Sequence, residues 1–343
     1  MYSFTNDYNE TAHPKLLESL LTASTQKNSG YGLDTYCEKA AEKIKSLIQS
    51  SQSAVHFLPG GTITNLAFIS HILRPYQAVI AAQTGHIAVH ETGAIEATGH
   101  KVITVKCEQG KLTPEVIKPV LEEHCDEHMV QPKLVYISNT TELGTIYSKK
   151  ELQELHAFCQ KHHLYLYMDG ARLAMALSAA ENDLSFSDIA KLTDAFYIGG
   201  TKVGAFAGEA LIINNNNLQA DFRFTMKQKG AILAKSWILG VQFLALLENN
   251  LYLELGKHSN VMAKQLNDIL SRYGFTFTIA PQTNQLFVNV PDTLVNSITQ
   301  HYDLLPCGKP DSQHSCLRFC TSWSTQQHDI DRFEKFLQTV CQK

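Results

Sequence analysis

Residues 133–168 read KLVYISNTTELGTIYSKKELQELHAFCQKHHLYLYM. Two apolar runs, Lys133–Ser138 and Leu164–Met168, flank a helical stretch, Lys149–His162. Neither run alternates apolar with polar, so both predict strands buried on both faces. A strand, a helix and a second such strand predict a parallel sheet covered by helices. The pattern extends outward in both directions. Further strands are expected at Ala54–Leu58, Ala78–Ala82, Val102–Val105, Ala195–Gly199 and Glu209–Ile213, with helices at Ile63–Leu73, Ile87–Thr98 and Thr113–Glu127. The expected class is α/β, with a mostly parallel seven-stranded sheet sandwiched by helices. The alternation stops near residue 230. A long helix, Ala231–Leu255, is expected next, then a helix over 257–273, strands near 275–279, 285–290 and 315–321, and a last helix from about 326. That remainder predicts a smaller C-terminal α+β domain. The expected division is an N-terminal arm over 1–30, a large domain over 31–245 and a small domain over 246–343.

The chain has 343 residues, 44% hydrophobic and 18% charged. That length fits two packed domains, since single cores stop growing near about 250–300 residues. A net charge of -4 leaves no basic surplus for a phosphate backbone, so nucleic acid is not an expected partner. The eight cysteines are scattered and form no C-x-x-C pair, which argues against a zinc site and for free thiols in a reducing cytosol. The N-terminus lacks a basic-then-apolar leader and no apolar run approaches a membrane span, so a cytoplasmic protein is expected.

Three segments follow strands, and ligands of such sheets bind outside the strands' carboxyl ends. In Leu58-Pro59-Gly60-Gly61-Thr62 a strand ends, two glycines turn the chain and a helix begins. Free N–H groups at a helix start bind anions such as phosphate, although Thr62 can equally be a plain N-cap. In Met168-Asp169-Gly170-Ala171-Arg172 an aspartate closes a buried strand and needs a partner. A protonated pyridine nitrogen would serve, and so would the next helix or Arg172. In Gly199-Gly200-Thr201-Lys202-Val203-Gly204 a lysine sits among small residues after a strand. Desolvation would make it an amine nucleophile toward an aldehyde; as a surface lysine it would do nothing. His86 opens a helix after another strand, where an imidazole can lie on a flat ring or act as a base. His86 and His90 stand one turn apart, but no third ligand accompanies them and no metal is expected. Arg318, in Cys316-Leu317-Arg318-Phe319-Cys320, lies within an apolar strand and suits a carboxylate, from a substrate or from the protein.

The ordered set PGGT, GH, DGAR, GGTK and LRF resembles the low-specificity L-threonine aldolases, in the β-eliminating lyase group with the aspartate-aminotransferase type of fold. The resemblance runs from Asn6-Asp7 to the Arg318 strand. It implies pyridoxal 5'-phosphate (PLP) as cofactor, bound as a Schiff base on Lys202, with Asp169 at the pyridine nitrogen. Gly60, Gly61, Thr62 and Thr201 would lie at the phosphate, and His86 on the ring. Arg172 would bind near the cofactor and, with Arg318, would take the substrate carboxylate, with Asn6 close by. Tyr31 would reach a neighbouring subunit's site, in a homo-oligomer that is usually a tetramer of two dimers. The implied reaction splits L-threonine or L-allo-threonine into glycine and acetaldehyde, with His86 as the leading candidate base. The sequence departs from the family at Asn6, where serine is usual, and at Thr201, also commonly serine. It departs again at Ser138-Asn139-Thr140-Thr141, where the family often reads E-N-T-H and so carries a histidine that is missing here. β-Elimination or transamination on the same cofactor is the nearest alternative. A nicotinamide-dependent oxidoreductase and a non-catalytic binding protein are more distant ones.

Overall fold

The computed structural model describes residues 2–341. A seven-stranded sheet organises most of the chain. Its strands are β2 (Ala54–Leu58), β3 (Gln77–Ala82), β4 (Val102–Val105), β5 (Gln131–Ser138), β6 (Tyr165–Asp169), β7 (Ala195–Gly199) and β8 (Glu209–Ile213), in the order β2-β8-β7-β6-β5-β3-β4. Strands β3 to β7 run parallel, while β8 lies antiparallel to both β2 and β7. The strands β3 and β6–β8 are almost wholly buried because helices cover both faces, as the continuous apolar runs predict. One face packs Leu166, Met168, Phe196 and Ile198 against helices that include Thr35–Ile48 and Trp237–Leu246. The other packs Tyr136, Tyr167 and Tyr197 against Phe68 and Phe222.

The C-terminal part builds a second sheet, β12-β13-β10-β9, with β9 at Thr276–Phe277, β10 at Gln285–Pro291, β12 at Leu305–Pro306 and β13 at His314–Cys320, all antiparallel. Its core, around Phe319, Leu317 and Phe333, also takes in Phe4 from the N-terminus. The first strand, β1 (Tyr2–Ser3), pairs in parallel with β11 (Tyr302–Asp303). The expected arm is therefore pinned at its start to the C-terminal part, in a two-stranded sheet of its own. Farther on, the His13 N–H donates to the Gly204 carbonyl (2.8 Å), beside the lysine loop.

Two expected helices differ. Ile87–Thr98 is instead a single turn, His86–Val89, followed by Thr92 and Gly93 in left-handed backbone and a short 3-10 turn at Glu96–Thr98. The helix ends at His90, whose backbone is no longer helical (φ -128°, ψ 8°), and the Glu91 side chain turns inward to His86 and Asn65. Ala231–Leu255 is broken as well. Trp237–Leu246 stops, Asn249 and Asn250 adopt left-handed conformations, and a new helix runs over Leu251–Arg272. Asparagine tolerates that region better than other non-glycine residues, so the Asn-Asn pair supplies the break.

Candidate active site

The chain leaves β4 and crosses back past β3 to lay down β5, so the loops after β3 and β5 diverge. Such a switch point opens a crevice at the strands' carboxyl ends. His86 follows β3, Glu142 follows β5, Asp169 ends β6 and Lys202 follows β7.

Asp169 is 4% exposed. Its Oδ1 accepts from the Tyr197 hydroxyl (2.5 Å) and the Ala171 N–H (3.0 Å). Its Oδ2 accepts from the Tyr136 hydroxyl (2.6 Å) and from Asn65 Nδ2 (3.2 Å). Burial pushes the carboxyl pKa up, but the charge of His86 and these donors outweigh it and hold the pKa below the ordinary value. Close backbone approach fixes the Asp169 turn against β7. The Gly199 N–H donates to the Gly170 carbonyl (3.0 Å), and a Cβ on Gly170 would sit 1.8 Å from the Tyr197 carbonyl oxygen.

Among the described residues no hydrogen bond or ion pair engages Lys202 Nζ, which stands 5.8 Å from the centre of the Tyr8 ring. Burial lowers its pKa, and the Arg172 charge adds to that; Asp7, Asp169 and Glu209 pull the other way. The loop that carries Lys202 is clamped by Glu209. One of its oxygens accepts from the Gly200 N–H (2.9 Å), and the other accepts from the Thr201 hydroxyl (2.8 Å). The Thr201 hydroxyl is thus engaged by Glu209. Burial raises the Glu209 carboxyl to about 7.

The helix Gly61–Ile72 starts at Gly60 with no side-chain cap, so its first N–H groups stay available, and Thr62 is exposed. His86 Nδ1 lies 2.8 Å from Glu91 Oε1, an oxygen that also accepts from Asn65 Nδ2 (2.8 Å). The His86 N–H donates to Glu142 Oε1 (2.9 Å), which also accepts from the Ser138 hydroxyl (2.7 Å). Thr141, at the position of the absent histidine, is tied to Thr145 (2.7 Å) and to the Gln109 carbonyl (3.3 Å). The His90 ring lies 5.4 Å from that of His86. Burial, then the charges of His86, Arg318, Lys202 and Arg172, lower the His90 pKa below the ordinary imidazole value.

Arg172 does not stand free. Its Nε and Nη2 donate to the two oxygens of Asp7 (2.7 and 2.9 Å), which is itself fully buried and also accepts from Asn284 (2.9 Å). The expected carboxylate partner is, for these two donors, the protein's own. Arg318 Nη2 donates to the Thr5 carbonyl (2.7 Å) and Nη1 to Gln285 Oε1 (3.2 Å), while Arg318 Nε and Gln285 Nε2 are buried donors without an acceptor. Asn6 Oδ1 accepts from the Tyr8 N–H (3.0 Å). Tyr31 lines a separate cavity of about 370 Å³ with Asp34, His56 and Arg223, and none of the other candidate residues borders it.

Sequence reasoning missed Asp7, Asn65, Glu91, Tyr136, Tyr197 and Glu209. The one local signal for Glu209 is an acid opening an otherwise apolar strand; the others are placed by contacts between distant segments. Taken together, the donors fit a phosphorylated aromatic aldehyde with a basic ring nitrogen. Lys202 offers an unpartnered amine, Asp169 an anion, and the Gly60–Thr62 turn an uncapped helix start. A Cβ on Gly60 would meet nothing within 4 Å, and one on Gly61 would lie 3.2 Å from the Tyr197 hydroxyl, so the turn opens onto the space above Asp169.

The sequence profile of the beta-eliminating lyase family matches residues 9–293. A low specificity L-threonine aldolase of Pseudomonas sp. (strain NCIMB 10558) is 28% identical over 334 residues, covering 94% of this chain and 93% of its own. A solved Leishmania major threonine aldolase is 48% identical, superposes with a TM-score of 0.98, and is covered over 100% of its length by 99% of this chain. A histidinol-phosphate aminotransferase of Clostridium acetobutylicum shares the fold (TM-score 0.75) at 14% identity, with 100% and 99% of the two chains covered. With the profile spanning most of its length and aldolases matching it nearly end to end, the chain belongs to the beta-eliminating lyase family, alongside its threonine aldolases.

Proposed function

We propose that this enzyme cleaves the Cα–Cβ bond of β-hydroxy-α-amino acids, L-threonine and L-allo-threonine, to give glycine and an aldehyde, with pyridoxal 5'-phosphate as cofactor. The carrying observation is that one crevice holds both an unpartnered, half-buried amine at Lys202 and an anionic carboxylate at Asp169. In this reading Lys202 Nζ holds the cofactor aldehyde and Asp169 keeps its ring nitrogen protonated. The uncapped start of Gly61–Ile72, with Gly60 and Thr62, takes the phosphate, and His86 lies on the ring. When bound, the cofactor supplies an electron sink for charge developing at the substrate Cα.

The chain's own residues do the positioning. In this reading Arg318 grips the substrate carboxylate, with the remaining Nη1 of Arg172 and Asn6 alongside. Fixing the carboxylate orients the Cα bonds and selects which one is weakened. Two imidazoles are at hand to take the β-hydroxyl proton. His86 has Nδ1 engaged by Glu91, which leaves Nε2 free, and among the described residues no hydrogen bond engages the His90 ring. Tyr31 lines its own cavity, which supports a role in a neighbouring subunit's site and hence a homo-oligomer, dimer or tetramer. Eight free cysteines suit a reducing cytosol, and among the described residues no helix is long and apolar enough to cross a membrane.

Incubation of the cofactor-loaded protein with L-threonine and with L-allo-threonine tests the reading. Acetaldehyde and glycine in equal amounts are expected. A keto acid in their place would overturn it in favour of elimination or transamination.

A further inference from the structure

Three adjacent strands each place a tyrosine beneath the crevice. Tyr136 on β5 and Tyr167 on β6 are register partners, and Tyr197 stands on β7 on the same face. All three are at most 1% exposed, and burial pushes their phenols well above the ordinary range, so they remain donors. Two of them reach Asp169, one hydroxyl on each oxygen, at 2.6 and 2.5 Å. Those lengths belong to hydrogen bonds made to a charged acceptor. Tyr167 does not touch the carboxylate. Its hydroxyl donates to Asn65 Oδ1 (3.0 Å), and Asn65 Nδ2 reaches both Asp169 and Glu91.

Satisfying buried phenols does not by itself explain this arrangement. All four partners of Asp169 are donors: two hydroxyls, the Asn65 amide and the Ala171 N–H. A proton on either oxygen would have to turn a tyrosine hydroxyl round to find an acceptor, because the Ala171 N–H on Oδ1 and the Asn65 amide nitrogen on Oδ2 can only donate, so the site favours the ionised form. Tyr197 also stands at the edge of the space above, within 3.2 Å of where a Gly61 Cβ would be. We propose that Tyr136 and Tyr197 are positioning residues that keep Asp169 ionised and aimed at a protonated ring nitrogen. The inference rests on the Lys202 and Asp169 roles given above.

Equilibrium binding of pyridoxal 5'-phosphate, measured across pH, tests it. Wild type is compared with Tyr136→Phe, Tyr197→Phe and, as a control from the same cluster, Tyr167→Phe. Losing either carboxylate-bound hydroxyl should weaken affinity roughly tenfold, the usual scale of a hydrogen bond to a charged group. It also raises the Asp169 pKa, so the ratio of variant to wild-type dissociation constants should grow as pH falls. Tyr167→Phe should give a ratio flat with pH. The other titratable groups near Asp169 are His86, Lys202, Glu91, Glu142 and Glu209; they are common to all four proteins and cancel in the ratio. Flat ratios for Tyr136→Phe and Tyr197→Phe, beside a wild type that binds, would overturn the inference alone. A wild type that takes no cofactor would overturn the functional reading with it. Should a variant not fold, isotope-edited infrared spectra of cofactor-free wild type, labelled on aspartate and compared with Asp169→Asn, decide instead. A carboxylate band for Asp169 persisting well below pH 5 supports the proposal, and a protonated Asp169 at neutral pH overturns it.

Discussion

At the scale of single residues, Asp7 holds Arg172 in place within the candidate site. Burial raises the Asp7 pKa, but Arg172, Lys202 and Asn284 outweigh it and bring the carboxyl from 3.8 to about 2. A carboxyl whose pKa is lowered on folding contributes stability that is present above the unfolded value and lost as pH falls through the folded one. Wild type should therefore lose roughly 2–3 kcal/mol from this group between about pH 4 and pH 2. Urea unfolding at stepped pH checks this: Asp7→Asn should be less stable near neutrality and flatter over that interval, and an unchanged slope would contradict it. Asp169, Lys202 and Arg318 were legible in the sequence because each follows or lies within an apolar strand. Asp7 was not, since it sits in no periodic element and its Arg172 partner is 165 residues away. Arg172 was legible as a cation, but its pairing with Asp7 was not. Of the two histidines, His86 stood out at a helix start, whereas the charges of Arg318, Lys202 and Arg172 that act on His90 come from distant segments.

At the scale of elements, Glu209 shows how a strand can serve a loop. It opens β8 opposite Gly199, and its carboxylate holds the Gly200–Thr201 turn that presents Lys202. Burial raises its pKa from 4.5 to about 7, so the folded state binds a proton that the unfolded chain releases. An acid with a raised pKa makes stability fall as pH climbs from the unfolded value toward the folded one. Glu209→Gln, which keeps an acceptor without the charge, should remove a decline of roughly 3 kcal/mol between about pH 4.5 and 7. Denaturant midpoints for the two proteins over that range test it; parallel curves would contradict the assignment. The seven strands of the large sheet were legible almost residue for residue, because burial on both faces demands unbroken apolar runs, whereas the two-residue strands β1, β11 and β12 are too short to leave one. The helices over 87–98 and 231–255 were misread for a common reason. Apolar content continues beyond His90 and across Asn249-Asn250, but the backbone leaves the helical region at each.

At the scale of the whole molecule, the N-terminal segment joins the two sheets around the crevice. It pairs with β11, the Phe4 carbonyl accepts from the Cys320 N–H (2.8 Å), and the Thr5 carbonyl holds Arg318. Asp7 then reaches Arg172 beside β6. We propose that the large and small domains meet at the Asn249-Asn250 break, close to the division near residue 245 expected from the pattern of elements. We propose that these segments converge to hold one phosphorylated aromatic aldehyde between Lys202 and Asp169. Borohydride treatment of the protein with pyridoxal 5'-phosphate, followed by peptide mapping, tests it most directly. The cofactor should be fixed on the peptide that carries Lys202 and on no other, and Lys202→Ala should carry none. Stoichiometric labelling of a different lysine, or labelling unchanged in Lys202→Ala, would contradict the account.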